Sequence, residues 1–175
     1  MTTSTTANDI LTDAFGRVRE LVPQVVDGLS TEELLWRPDA DANHIAWLVW
    51  HLARVQDDHL AGVGEVPQVW LSDGWRERFG LPYDPEDLGY GQSSEQVSDF
   101  TLADPALLVD YHAAVHDLSV RVVGQLDDAG FARVVDRSWD PPVTVAVRLV
   151  SVVNDIGQHV GQAAYVKGLV ERRRG

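Results

Sequence analysis

Ser151-Val-Val-Asn-Asp155-Ile-Gly-Gln-His159-Val-Gly-Gln-Ala-Ala-Tyr-Val-Lys-Gly168 is the stretch on which the reading of this chain turns. It holds no proline, and its apolar residues return at helical spacing. Asp155 and His159 are four apart, so they project from one helical face, one turn from each other. Val152, Ile156, Ala163 and Val166 fall on or near the same face, which places a carboxylate and an imidazole inside a core stripe. Burying either group without a partner is costly. A divalent metal is one partner, since D-x-x-x-H is half of a metal site. A buried ion pair or a hydrogen-bonded core histidine is the other.

Working outward, the same helix is expected to open near Thr144 and to run to about Arg172. Arg148 lies seven residues before Asp155 and shares its face. It is read either as an anchor for an anionic substrate group or as the partner of an acidic residue on a neighbouring helix. Gly157, Gly161, Ala164 and Gly168 form a stripe of small residues on the opposite face. Glycine within a helix costs about 0.5–1 kcal/mol relative to alanine. Close approach of another helix offsets that cost, and if the helix comes from a second subunit the protein is a homodimer.

Three more helices are predicted upstream. The first covers Asn8 to about Gly28, with Pro23 kinking it or ending it early. The second covers about His44 to Ala61, with Asn43 as its N-cap and Ile45, Leu48, Leu52 and Val55 as its stripe. His51 sits on the margin of that stripe and is read as the third ligand beside Asp155 and His159, or else as an ordinary boundary histidine. The third helix starts at Asp104-Pro105 and runs to about Leu126. Its His112 and His116 are also four apart, but they flank the inward face set by Tyr111, Val115 and Leu118, so a solvated face is expected there rather than a metal.

Ser30-Thr-Glu-Glu33 is a capping box that starts a short turn through Trp36. Between Gly62 and Leu102 the period is lost, yet Trp70, Trp75, Phe79, Tyr83, Tyr90 and Phe100 argue against disorder. This segment reads as a wall or lid over one end, with a short helix at Ser93 to Val97. Phe131 to Pro142 is a connection with an extended piece at Ala132 to Val135. Four long helices, little strand signal and no repeat give an all-α four-helix bundle in one domain over residues 1–175. The short first link and long second link argue against a plain up-down-up-down order.

The chain has 175 residues and a net charge of -13, which argues against nucleic acid as a partner. No apolar run reaches the roughly 18 residues of a membrane span. The polar start Met1-Thr-Thr-Ser-Thr-Thr6 reads as a frayed tail rather than a secretory signal, and a cytoplasmic location is expected. Arg172-Arg173-Arg174 reads as favourable charge at a helix C-terminus. There is no cysteine, so a metal here must use His, Asp, Glu or water, and a thiol nucleophile must come from outside the chain. Neither G-x-S-x-G nor a P-loop nor G-x-G-x-x-G occurs.

Trp47-Leu-Val-Trp-His51-Leu-Ala-Arg-Val-Gln56, Gly89-Tyr-Gly91, Trp139-Asp-Pro-Pro142 and Asp155-x-x-x-His159-x-Gly-Gln-Ala-Ala-Tyr165, in that order, resemble the DinB/YfiT-like superfamily over nearly the whole chain. The similarity is greatest to an actinobacterial branch related to the mycothiol-dependent maleylpyruvate isomerase metal-binding domain. The resemblance implies an up-down-down-up bundle with a divalent metal, zinc or nickel, held at His51, Asp155 and His159. Asp155 departs from the Glu or His that the family places there. The resemblance further implies a thiol S-transferase that uses mycothiol, bacillithiol or glutathione in detoxification or stress. The same site with an activated water would be a hydrolase, and without chemistry a binding protein.

Overall fold

A computed structural model describes residues 5–174. The four long helices are α1 (Ala7–Val26), α3 (Ile45–Gly64), α7 (Ala106–Gly124) and α9 (Val145–Arg173). Short helices α2 (Thr31–Leu34), α4 (Val69–Ser72), α5 (Trp75–Phe79), α6 (Ser94–Ser98) and α8 (Asp128–Ala132) fill the links. Strands β1 (Val134–Asp136) and β2 (Val143–Thr144) pair antiparallel just before α9. Residues 1–4 of the polar start lie outside the described residues.

Side-chain bonds between helices fix their directions. Lys167 of α9 donates to the carbonyls of Gln24 and Asp27, so α1 and α9 end together and run parallel. Asn8, at the start of α1, donates to the carbonyls of Val123 and Leu126 beyond the end of α7, so these two are antiparallel. Tyr111 meets Asp57, and Gly64 at the end of α3 lies against Val122 near the end of α7, so α3 and α7 run together. The order is up-down-down-up, as the resemblance implied.

The elements begin largely where their capping residues dictate. Thr6 and Asp9 form a capping box on α1, Ser30 and Glu33 one on α2, and Ser93 and Gln96 one on α6. Thr144 opens α9. Asn43 does not cap α3; His44 does, with Nδ1 accepting the Trp47 N–H at 3.0 Å. Its Nε2 meets the Val97 carbonyl at 3.1 Å, so one imidazole joins α3 to α6. Pro23 does not break α1, which continues one further turn to Val26. The basic C-terminus has specific partners: Arg173 lies over the Trp36 ring at 4.3 Å and Arg174 pairs with Glu33 at 2.6 Å.

α3 is the enclosed helix. Every residue from His44 to Asp57 is buried, although the stretch includes His51, Arg54, Gln56 and Asp57. Each must find a partner inside, because a buried polar group left unpaired is costly. Gln56 donates to Ser119 at 2.8 Å. Asp57 accepts the N–H groups of Val69 and Trp70 at 3.0 and 2.8 Å, and the Tyr111 hydroxyl at 2.9 Å. It thereby caps α4, whose own N-cap Gln68 makes no side-chain cap. Arg54 stands 3.7 Å from Asp57 and donates to Gln68 and to the Asp87 carbonyl. This pair ties the aromatic segment between α3 and α7 to the bundle. Trp70, Trp75, Phe79 and Phe100 pack inward from it.

The expectation for His112 is corrected. It is not solvated but fully buried, and neither ring nitrogen has a hydrogen-bond partner in the protein. Burial, with the nearby charge of Arg19, pushes its pKa down to about 3 from 6.5. His116 is only partly buried and lies beside Asp117.

Two stability predictions follow from these buried groups. Asp57→Ala removes the cap of α4 and leaves Arg54 uncompensated; a loss of about 3–5 kcal/mol is expected in urea denaturation. The second concerns acid. His112 and His44, the latter held down to about 4 mainly by burial, bind protons in the unfolded chain before the folded one. Stability is therefore complete above the unfolded value of 6.5 and declines as pH falls toward the folded values. His112→Leu is expected to add about 1–2 kcal/mol at neutral pH by deleting unpaired nitrogens, and to flatten the decline toward about pH 5.

Candidate metal centre

α3 and α9 run antiparallel, and their facing sides bring His51, Asp155 and His159 together. One ligand atom from each lies within 4.8 Å of the others. The His51 and His159 rings are 4.5 Å apart, inclined at 71°. The three residues singled out from the sequence thus share one point, and they are the one such cluster of His and carboxylate groups among the described residues.

Each imidazole uses one nitrogen on the protein. His51 Nδ1 meets the Leu88 carbonyl. Burial pushes the His51 pKa down, against the Leu88 carbonyl and the Asp155 carboxylate, which favour the proton. A neutral ring that donates from Nδ1 keeps the Nε2 lone pair for a ligand. His159 Nδ1 donates to the Asp155 carbonyl at 2.8 Å, one turn back on its own helix. Burial opposes the charged form of His159, but the carboxylate and carbonyl of Asp155 outweigh it and raise its pKa. Asp155 Oδ1 is buried with no hydrogen-bond partner, though it stands 3.3 Å from His159 Nδ1, whose proton is directed to the carbonyl. A buried carboxylate oxygen left open beside two histidines that each retain a free nitrogen suits a divalent cation.

The sequence reading missed what holds His51. Its ring stacks on Trp47 at 4.7 Å, inclined by 12°, and meets the Tyr90 edge at 5.2 Å. The Leu88 carbonyl arrives because Gly89 adopts φ 93°, where side chains are rarely tolerated. A Cβ at Gly89 would stand 2.8 Å from Trp47 and 2.9 Å from His51 Nδ1. Asp87 braces this turn by accepting from the Gly89 N–H at 2.6 Å and from Gln92 at 2.8 Å. Gln92 in turn accepts from Trp47 Nε1 at 2.7 Å. The signal in the sequence was Gly89-Tyr-Gly91, legible as a turn but not as a support for an imidazole.

Arg148 pairs with Asp136 of β1 at 3.1 Å, so its acidic partner comes from the hairpin rather than from a helix. It also lines a polar cavity of about 360 Å³ together with Asp58, His59 and Arg133. The charges of Arg148 and Asp155 both reach His59, where burial lowers the pKa most and Arg148 lowers it further while Asp155 opposes. His112 and His116 lie on α7 and take no part in the cluster.

An up-down-down-up bundle with two histidines and a carboxylate facing each other across its second and fourth long helices defines the class. Residues 14–163 match the DinB superfamily, and the chain belongs to it. A crystal structure described as the conserved protein of locus from Enterococcus faecalis is similar to this chain at 29% identity and a TM-score of 0.89, covering 95% of this chain and 98% of its own. No curated protein matches.

The support of His51 is testable. Gly89→Ala forces the Leu88 carbonyl off Nδ1, and losing such an outer partner typically costs 10–100-fold in metal affinity. Zinc titration by calorimetry is expected to show about that loss, while circular dichroism keeps its helical signal.

Proposed function

We propose that this protein is a divalent-metal-dependent enzyme that transfers a low-molecular-weight thiol to an electrophilic substrate. The observation that carries the reading is the convergence of His51, Asp155 and His159 with Asp155 Oδ1 unpartnered. Three protein ligands leave coordination positions free, as catalytic sites do and structural zinc sites do not. Zinc or nickel suits two imidazoles and one carboxylate. When bound, such a metal acts as a Lewis acid that lowers the pKa of a thiol or a water and supplies a nucleophile near neutral pH.

The chain's own residues shape the rest. There is no cysteine, so the thiol belongs to a co-substrate, with mycothiol, bacillithiol and glutathione as the candidates. Tyr90 is 60% exposed and stands edge-on to His51, where it borders the approach and shields that ring from water on one side. Arg148 can exchange Asp136 for a substrate carboxylate, because it also lines a polar cavity that opens to solvent. His59, in the same cavity, is positioned to hold or release a proton there.

The test begins with metal content. Purified protein is expected to carry about one zinc or nickel ion, and His51→Ala and His159→Ala to carry none. Full occupancy in both variants would sink the site. Loaded protein is then given each thiol with a panel of electrophiles. Thiol loss that requires both the metal and His159 supports transfer, whereas product formed without thiol assigns the site to hydrolysis.

A further inference from the structure

We infer that the outer face of α9 is the contact between two copies of this chain, paired antiparallel about a two-fold axis. The inner face of α9 is used up by the core and the metal cluster. Its outer face carries Val147, Val150, Asn154, Gly157, Gly161 and Ala164, all exposed. These follow one another at alternating steps of three and four, the a/d seam of a coiled coil. Val147 and Val150 are 55% and 64% exposed, and Tyr165, at the other end of the strip, 68%. A Cβ at Gly157 or Gly161 would meet nothing within 4 Å, so no helix of the same chain accounts for the small residues.

The seam also lacks charge. Between Val147 and Tyr165 every exposed residue of α9 is uncharged, in a chain of net charge -13. Depletion of charge marks the centre of protein interfaces. Two such acidic copies repel each other over most of their surface, and along this strip they meet without opposing like charges.

The distribution of sizes points to a second copy rather than to an unrelated helix. Antiparallel pairing sets each a position against a d position. A dyad between Asp155 and Ile156 then brings Val147 against the partner's Ala164, Val150 against the partner's Gly161, and Asn154 against the partner's Gly157. Large meets small in every layer, and the same layers recur on the other side of the axis, which is what an isologous contact demands. Parallel pairing would stack valine on valine at one end and glycine on glycine at the other, leaving a gap. The strip from Val147 to Ala164 is about 26 Å long. By itself it falls short of the roughly 800 Å² per partner of a standard interface. A groove of about 510 Å³, lined by Pro38, Asn43, Gly161 and Tyr165 among others, opens beside the layer that receives the partner's Val150. It extends the contact, and the result is a reversible dimer.

The full-length protein tests this in sedimentation velocity over a concentration series. A reversible monomer–dimer equilibrium is expected, and a monomer at every concentration overturns the proposal. Val150→Glu and Gly161→Glu lie on an exposed face, so circular dichroism is expected to match the parent while the dimer is lost; a dimer that survives either change lies elsewhere and also overturns it. The absence of native cysteine permits a register test. Val150→Cys with Gly161→Cys in one chain is expected to oxidise to a covalent dimer, and Val150→Cys alone to remain uncrosslinked. Rapid cross-linking of Val150→Cys alone would overturn the antiparallel register.

Discussion

A histidine inside a bundle has two nitrogens, and the protein must decide which one it keeps. The contact of His51 Nδ1 with the Leu88 carbonyl makes that decision, and much of the structure is arranged to permit it. The carbonyl belongs to a link that would otherwise pass over the bundle end at a distance. It reaches the imidazole because Gly89 has no side chain to hold it away. Asp87 and Gln92 fix the turn, Trp47 backs the ring, and Arg54 takes the Asp87 carbonyl from below. The long connection is therefore a support for one ligand as well as a cover. It is held at both ends by residues of the helix that carries that ligand.

The same logic extends down α3. A helix enclosed on all sides cannot leave polar groups to water, so Arg54 and Asp57 recruit their partners from the links. Asp57 is the clearer case: burial favours its neutral form, yet two backbone N–H groups, a tyrosine hydroxyl and a guanidinium favour the anion. These bonds order α4 and with it the buried aromatic residues. The site and the aromatic segment are thus stabilised by one helix whose polar residues alternate between ligand, cap and anchor.

Long-range order was legible where the sequence carried a strong period or an explicit cap. Four helices, the box at Ser30, the short helix from Ser93, and Thr144 at the head of α9 fall in this group. The closeness of Asp155 and His159 to His51 belongs there too, because a carboxylate and an imidazole that interrupt an apolar face need a partner. The failures have a common cause. His112 looked solvated because a stripe of ordinary width was assumed for α7, whereas the packing of α1 and α3 buries more of that helix than the stripe. Likewise α3 was read as amphipathic with His51 at its margin, although it is buried all round from His44 to Asp57. Arg54 and Asp57, three apart within an apolar run, were the available signal of a buried pair. A pattern along one helix does not report how many neighbours surround it. Nor does it reveal that an N-cap can be an imidazole such as His44, since the preference for Asn is only statistical.

Asp155 shows what a shorter side chain achieves at a position where the resemblance implies Glu or His. With one methylene fewer, the carboxylate stays close to its own backbone, so its oxygen and its carbonyl face the same ring one turn on. The carbonyl takes the Nδ1 proton of His159, and the carboxylate, 3.3 Å from that nitrogen, is left without a hydrogen bond of its own. One residue thereby orients its neighbour and remains open itself. The geometry also couples the two groups electrically: the anion that would bind a cation is the one that raises the affinity of His159 for a proton. Proton and cation therefore compete for the same pair, and affinity for a metal must fall as the solution is acidified.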